Sequence, residues 1–233
     1  ANIVFSGTAP NCTATVTPVA DGNGSTNLNF TVTDTGTPVQ SASQAFTLTV
    51  TAVNDAPIMS AIANQTTNED TVQTINFTIT DVDSTLNCAT SVSATSSNAG
   101  LIPVANTVFS GTAPNCTATL TPVANANGNS NITFTVADGG TPNLTDSKSF
   151  TQTFTAVNDA PTISSISNTT ILEDNVATIN FTIADVDNTL NCATSMSATS
   201  SNTGLVPVAN IVFSGTAPNC TATVTPVADG NGS

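Results

Sequence analysis

The stretch Thr51-Ala-Val-Asn-Asp-Ala-Pro57 occurs a second time, 104 residues later, as Thr155-Ala-Val-Asn-Asp-Ala-Pro161. The sequence between the two copies repeats with the same spacing, so that Cys88 returns as Cys192. A fixed period of this length indicates tandem domains of ordinary size. The chain is therefore predicted to be a head-to-tail array of domains that all share the fold of one repeat.

The two ends of the chain carry the same segment of the repeat. Residues 1–25 are identical to residues 209–233, whereas residues 105–129 differ from them at five positions, which indicates a superperiod of 208 residues. We expect the chain to be a window of a longer repetitive polypeptide. The predicted domains are the C-terminal half of a truncated repeat (1–53), a complete repeat (54–157) and the N-terminal part of a truncated repeat (158–233).

The composition excludes several classes of partner. One Lys, no Arg and no His stand against 15 acidic residues, which gives a formal net charge of −14. Such a chain cannot neutralise phosphates, so we expect no nucleic-acid partner and no anionic membrane surface. It also has no long apolar run, so direct membrane insertion is not predicted.

Apolar residues alternate with Thr, Ser and Asn, which favours a folded β-protein over a disordered stalk. Ile75, Phe77 and Ile79 are predicted to face one side of a strand. Strands are expected at 58–63, 71–80, 87–96, 101–109 (irregular or at an edge), 115–122 and around 132–136, with a last one carrying Phe150 and Phe154. About seven strands per repeat and no helical period predict an all-β fold of tandem antiparallel β-sandwiches.

The five cysteines fall into pairs once the period is applied. Cys88 with Cys116 and Cys192 with Cys220 are predicted disulfides, and Cys12 lacks an in-repeat partner. Disulfides indicate an oxidising, extracytoplasmic compartment. The alternative is reduced, buried cysteine, since no spacing suggests a metal site.

Twelve of the 15 acidic residues occupy positions that recur with the period. If the strands run alternately down and up, Asp81, Asp83 and Asp138 come to the same pole as Asn54-Asp55. Glu69-Asp70 lies at the opposite pole, beside the next linker, Asn158-Asp159. Carboxylates that converge on a junction require a cation, and many hard oxygen ligands favour Ca²⁺.

The motifs around the linkers are similar to those of a known family. Phe134-Thr-Val-Ala-Asp-Gly-Gly140 followed by Phe154-Thr-Ala-Val-Asn-Asp-Ala-Pro161 resembles the end of a cadherin repeat, and Glu69-Asp70-Thr71 with Asp81-Val-Asp83 resembles its beginning. Over its whole length the chain most resembles bacterial cadherin-like and Ig-like tandem repeats of giant surface proteins and adhesins. The resemblance implies interdomain Ca²⁺ ligands at Asn54, Asp55, Asp81, Asp83 and Asp138 for one junction, and at Glu69, Asn158, Asp159, Asp185 and Asp187 for the next.

One feature departs from that family. Residues 110–121 contain no carboxylate where cadherins carry an acidic motif, so we expect fewer ions per junction. The alternative interpretation is that the recurring Asp and Asn residues only cap turns, and Asp70 is the strongest candidate for that role.

No enzyme is predicted, because the chain has no His and its single Lys148 is Gln44 in the other copy. The predicted function is structural: a Ca²⁺-stiffened, disulfide-linked rod or fibre at the cell surface or outside the cell, whose partners are the neighbouring repeats. One alternative is a filament in which separate copies associate laterally or end to end. Another is a receptor- or carbohydrate-binding module. N-glycosylation is also left open.

Overall fold

The computed structural model describes residues 2–232. The chain divides into two compact units, one that runs through Thr155 and one that begins at Ala156. In the first unit we distinguish the N-terminal segment (residues 2–53) from the central repeat (residues 54–155). The C-terminal unit comprises residues 156–232.

The N-terminal segment consists of two separate antiparallel hairpins. Its strands are β1 (Asn2–Thr8), β2 (Asn11–Thr17), β3 (Gly24–Thr33) and β4 (Ser41–Val50). β1 pairs with β2, and β3 pairs with β4. No residue of this segment is buried, because each hairpin is only half of a sheet.

The central repeat is a β-sandwich of two four-stranded sheets. Its strands are β5 (Ile58–Met59), β6 (Gln65–Asn68), β7 (Gln73–Thr80), β8 (Val92–Ser96), β9 (Thr107–Thr112), β10 (Asn115–Leu120), β11 (Gly128–Ala137) and β12 (Thr145–Thr155), with a 3-10 turn at Val104–Asn106. The sheet orders are β5-β7-β10-β9 and β6-β12-β11-β8. The predicted fold class is confirmed.

The alternation read from the sequence decides which side chains form the core. Ile75, Phe77 and Ile79 are at most 4% exposed, while the polar residues between them are exposed. Phe134 lies at the centre, with its ring centroid 4.9 Å from that of Phe109 and 5.2 Å from that of Phe150. Period-two alternation thus places apolar side chains from both sheets in one interior.

The predicted strand at 58–63 is wrong, because only Ile58–Met59 form a strand there and the chain then crosses to the other sheet, where β6 begins at Gln65. β5 ends at Met59, although the N–H of Ser60 still donates to the carbonyl of Thr78 over 2.9 Å. Farther on, Asn64 Oδ1 accepts the N–H of Thr151, and β6 then pairs in parallel with β12. The repeat therefore has eight strands rather than about seven, and one pairing is parallel.

Two other predicted strands begin later than expected. The predicted strand at 87–96 is reduced to β8, because Asn87 Oδ1 accepts the N–H of Ala89 over 2.9 Å and holds residues 87–91 in a turn. In the stretch 101–109, Leu101 and Ile102 are buried in a loop before the edge strand β9. The prediction of an irregular or edge strand there is confirmed.

The C-terminal unit contains one four-stranded sheet. Its strands are β13 (Thr162–Ile163), β14 (Ala177–Ala184), β15 (Ile211–Thr216) and β16 (Asn219–Val224), in the order β13-β14-β16-β15, with a 3-10 turn at Val208–Asn210. This sheet corresponds to β5-β7-β10-β9. Residues 169–172 and 196–200, the counterparts of β6 and β8, are not strands, since residues 156–232 hold no counterpart of the hairpin β11–β12 for them to pair with.

Neither of the two short helical turns found in residues 2–232 has the length or hydropathy that a membrane span needs.

Candidate cation-binding junctions

The first junction begins with Asn54, whose side chain is hydrogen-bonded to the loop that follows β11 in the central repeat. Its Nδ2 donates to Oδ2 of Asp138 over 2.6 Å and to the carbonyl of Pro142 over 3.1 Å. Asp138 Oδ1 in turn accepts the N–H groups of Gly140 and Leu144. Asn54 and Asp138, 84 residues apart in sequence, therefore lie together at one pole.

The hydrogen bonds around Asp138 favour its charged form. Desolvation raises the pKa of this carboxyl, but the bonds from the Gly140 N–H, the Asn54 amide and the Leu144 N–H outweigh it. The pKa of Asp138 is therefore held below its ordinary value. This carboxylate is ionised at neutral pH and fixes the linker to the loop after β11.

The loop after β7 holds the second half of the linker. Asp81 Oδ1 accepts the N–H groups of Asp83 and Ser84, over 2.8 and 2.7 Å. Asp83 Oδ2 then accepts the N–H of Asp55 over 2.8 Å. The Asp-Val-Asp motif thus uses one carboxylate to shape its own loop and the next to bind the linker.

The turn after β2, in the preceding repeat, also contributes to the first junction. Asp21, Asp55 and Asp83 line a cavity of about 280 Å³ between the turn after β2 and the linker. Partial desolvation, and then repulsion from Asp21, Asp83 and Asp81, raises the pKa of Asp55. Negative charge from two successive repeats therefore accumulates at one junction.

Asp21 is the site residue that sequence reasoning missed. It has a φ of 57°, as expected of an Asp or Asn in a turn, and the sequence pattern predicts only that role for it. Its counterparts are Asn125 and Asp229, so the period alone does not mark it as acidic. Asp21 supplies the junction with a carboxylate, whereas residues 110–121 contain none. It lies after β2, outside the stretch that corresponds to residues 110–121 in the preceding repeat.

The chemistry of these residues suits a hard cation. All the side chains that meet here offer oxygen, and Asp81 Oδ2 is buried without a hydrogen-bond partner. Across residues 2–232, however, no three or more carboxylate or thiol groups are already arranged to hold a metal ion. The donor set fits Ca²⁺, whereas the side chains as they stand do not form a closed cage.

The predicted ligands of the second junction fall into both units. In the C-terminal unit the same local geometry returns: Asp159 N–H donates to Asp187 Oδ2, Asp187 N–H donates to Asp185 Oδ1, and Asn188 Nδ2 donates to Asn158 Oδ1 over 3.0 Å. These four predicted ligands are therefore brought together by one loop.

Glu69, the remaining predicted ligand, lies in the first unit at the pole opposite Asn54. It is only 3% exposed. Its Oε2 accepts Asn127 Nδ2 over 3.3 Å, and its N–H donates to the carbonyl of Thr155 at the end of β12. The shared role of Glu69 with the ligands of the next linker stays a prediction.

Asp70, by contrast, has the geometry of a turn residue. It has a φ of 59°, and its Oδ1 accepts the N–H of Asn125 over 2.8 Å. Asp174 makes the same bond to the N–H of Asp229 in the C-terminal unit. Asp70 therefore stabilises the turn before β11, as the alternative interpretation proposed for it.

The only Lys of the chain does not reach these carboxylates as a counter-charge, because it forms an ion pair within β12. Lys148 Nζ lies 2.8 Å from Asp146, which also accepts the buried N–H of Met59. Desolvation raises the pKa of Asp146, but the hydrogen bonds from Lys148 and Met59 lower it by more. The pKa of this carboxyl is therefore below its ordinary value.

Both predicted disulfides are confirmed. Cys88–Cys116 joins the turn before β8 to β10, with 5.4 Å between Cα atoms, and Cys192–Cys220 repeats this geometry in the C-terminal unit. Cys88 and Cys116 are at most 2% exposed, while Cys12 is free and exposed. Each disulfide is therefore a crosslink within one repeat, and Cys88–Cys116 lies in the hydrophobic core.

No protein-family model and no curated protein matches the sequence. Among solved structures, the chain is similar to a protocadherin gamma B7 cis-dimer structure of domains EC3-6 (17% identity, TM-score 0.44, 97% of this chain and 57% of that one). It is also similar to protocadherin gamma B2 extracellular cadherin domains 1-5 (15%, 0.43, 96% and 43%). The titin domains Z1Z2 in complex with telethonin match at 11% identity and a TM-score of 0.36, over 75% of this chain and 84% of that one.

The chain spans about half the length of these protocadherin chains.

Proposed function

We propose that the chain is a non-catalytic, structural region of a long extracellular or cell-surface protein. In this proposal β-sandwich repeats, bounded as 1–53, 54–157 and 158–233, follow one another as a rod or fibre. Ca²⁺ stiffens each junction, and a disulfide crosslinks each domain. Nearest-neighbour contacts suffice to stabilise such an array.

The observation that carries this proposal is the meeting of Asp21 from one repeat with Asp55 and Asp83 at the start of the next. Bound Ca²⁺ would offset their repulsion and draw roughly six to eight oxygen ligands together. Asp81 would contribute the oxygen that is buried without a partner. Because its ligands come from both sides of the linker, the ion would restrict movement of one repeat against the next.

Asp138 has a different role in this proposal from the one the resemblance implies. Its oxygens already accept three N–H donors, from Gly140, Leu144 and the Asn54 amide. We therefore assign Asp138 to positioning Asn54, whose amide nitrogen is engaged and whose oxygen can bind the ion. At the second junction the proposed ligands stay Glu69, Asn158, Asp159, Asp185 and Asp187.

The disulfides support the extracellular part of the proposal. Buried, in-repeat disulfides are typical of proteins from oxidising compartments. The composition gives no support to catalysis, since the chain contains no His and one Lys. It also contains no Trp or Tyr, the aromatic platforms that sugar-binding sites favour.

The test is thermal unfolding and small-angle scattering of the full chain, in millimolar Ca²⁺ and in excess chelator. We expect Ca²⁺ to raise the melting temperature and to lengthen and stiffen the particle. Asp81→Asn keeps a carbonyl oxygen for the loop N–H groups but removes the charge, and it should abolish most of the response. Asp34→Asn is the matched control, because the Asp34 carboxylate accepts N–H groups of its own loop, from Gly36 and Gln40. An equal response in wild type and Asp81→Asn, or none in wild type, would reject the Ca²⁺ junction.

A further inference from the structure

The dipeptide Asn-Gly occurs three times in the sequence, at Asn23, Asn127 and Asn231, and successive copies are 104 residues apart. In the first two copies the Asn directly precedes a strand, because β3 begins at Gly24 and β11 begins at Gly128. Both of these Asn residues are exposed. The fold therefore presents the dipeptide to water at the same place in successive repeats.

The backbone at these positions requires glycine. Gly24 and Gly128 have φ values of 118° and 123°, which residues with a Cβ rarely adopt. Apart from the adjacent residues, no heavy atom lies within 4 Å of the place where a Cβ would be on either glycine. The glycine backbone is thus open to the side chain of the Asn that precedes it.

The side chain of Asn127 faces a buried carboxylate. Its Nδ2 donates to Oε2 of Glu69 over 3.3 Å, and Glu69 is only 3% exposed. The neutral amide of Asn127 is therefore a hydrogen-bond donor to this carboxylate. A carboxylate in its place would replace the hydrogen bond by repulsion between like charges.

The side chain of Asn23 belongs to an acidic group as well. Asn23 lines the cavity of about 280 Å³ at the first junction, together with Asp21, Asp55 and Asp83. Its amide is neutral, whereas these three neighbours are carboxylic acids. Conversion of Asn23 to an acid would add a fourth carboxyl group to this cavity.

We propose that Asn23 and Asn127 are sites of spontaneous deamidation, a reaction to which Asn side chains are prone. The backbone nitrogen of the following Gly attacks Cγ of the Asn side chain. The new N–Cγ bond forms as the Cγ–Nδ2 bond breaks, and the proton of the attacking nitrogen leaves with the amide group as ammonia. Water then opens the cyclic imide at either carbonyl, which gives aspartate or isoaspartate. Gly favours the ring closure because it has no Cβ to hinder it.

Asn129 provides a comparison two residues farther along the chain. It is exposed like Asn127, but it lies within β11, where it is paired with Thr153 of β12. The residue that follows it, Ser130, has a buried side chain. The strand pairing and this side chain both restrict the approach of the Asn129 side chain to the next backbone nitrogen, so Asn129 should react much more slowly.

The experiment is peptide mapping by mass spectrometry of the full 233-residue chain. The chain is incubated in chelator at mildly alkaline pH, folded and, in parallel, unfolded in urea. In the folded chain Asn23 and Asn127 should convert at least about tenfold faster than Asn129, and both aspartate and isoaspartate should appear. Rates no higher than that of Asn129, conversion only in urea, or aspartate without isoaspartate would each overturn the proposal.

The charge that the reaction adds is tested with a variant that carries the product. In chelator, Asn127→Asp should melt at a lower temperature than wild type, because its new carboxylate faces Glu69. Asn129→Asp adds the same charge at an exposed position of β11 and is the matched control, which should melt close to wild type. Equal melting temperatures of the two variants would reject the added repulsion at Glu69.

The consequence for cation binding rests on the proposed function. Asn23→Asp should bind Ca²⁺ severalfold more tightly than wild type in calorimetry, because it adds a hard oxygen ligand to the junction. An affinity equal to that of wild type rejects this consequence. If neither protein binds Ca²⁺, the proposed function fails together with the consequence, whereas the deamidation itself is decided by the peptide map.

Discussion

The N–H of Asp55 donates a hydrogen bond to Oδ2 of Asp83 over 2.8 Å, which fixes the linker to the loop after β7. We predict that Asp83→Ala frees this linker even without a cation. The free energy of unfolding should fall by about 1 kcal/mol, and the heteronuclear NOE of Asp55 should decrease. Asp83→Asn, which keeps an acceptor oxygen, is the control and should retain most of the NOE. Equal NOE values in Asp83→Ala and wild type would mean that the bond does not hold the linker.

The raised pKa of Asp55 predicts an unusual pH dependence in the absence of Ca²⁺. Its carboxyl binds a proton more tightly in the folded state than in the unfolded state, where the ordinary value is 3.8. Ionisation of Asp55 therefore costs stability above its folded pKa, and this cost disappears as the pH falls below 3.8. In chelator, Asp55→Asn should unfold at higher urea than wild type near pH 7. A midpoint difference that does not shrink on acidification would contradict the assigned repulsion.

Asp138 and Asp146 should behave in the opposite way, because their pKa values are lowered in the folded state. Their contribution is present above the ordinary value of 3.8 and is lost as the pH falls through the lower folded pKa. Asp146→Ala should therefore destabilise the chain near pH 7 and have much less effect in strong acid. The same urea series measures both effects.

Gln152 is fully buried in β12, and its Oε1 has no hydrogen-bond partner. The other copy of the repeat has Leu48 at this position. We predict that Gln152→Leu raises the free energy of unfolding by about 1–2 kcal/mol, because it removes the desolvation cost of an unpaired amide oxygen. Gln152→Ala, the control, should destabilise by leaving a cavity. A loss of stability in Gln152→Leu would show that the amide is needed for packing.

The disulfide Cys88–Cys116 closes a loop with a sequence separation of 28. The chain-entropy model predicts that the double substitution Cys88→Ser, Cys116→Ser lowers the free energy of unfolding by roughly 3–4 kcal/mol. Cys12→Ser is the matched control, since Cys12 is exposed and free, and it should leave unfolding unchanged. Urea unfolding of the three proteins measures this difference, and similar midpoints would contradict a stabilising crosslink.

Much of the fold follows from local patterns. The alternation of Ile75, Phe77 and Ile79 predicts their burial, and the period pairs Cys88 with Cys116. The split of residues 58–68 between two sheets could not be predicted, because it depends on the Thr151 N–H that Asn64 accepts from the other end of the repeat. Likewise, nothing in the local sequence shows that Asn87 holds a turn rather than beginning a strand.

The sequence by itself determined the period of 104 residues, the all-β class, the disulfide pairs and the poles at which the acidic residues gather. The period and the cysteine pairs follow from the spacing of repeated residues along the chain, and the all-β class follows from the two-residue period of a strand. Only the tertiary structure decided that Asp21 joins Asp55 and Asp83 and that Asp138 is occupied by N–H donors. These roles depend on distances between residues far apart in sequence, and such distances exist only after the sheets have packed.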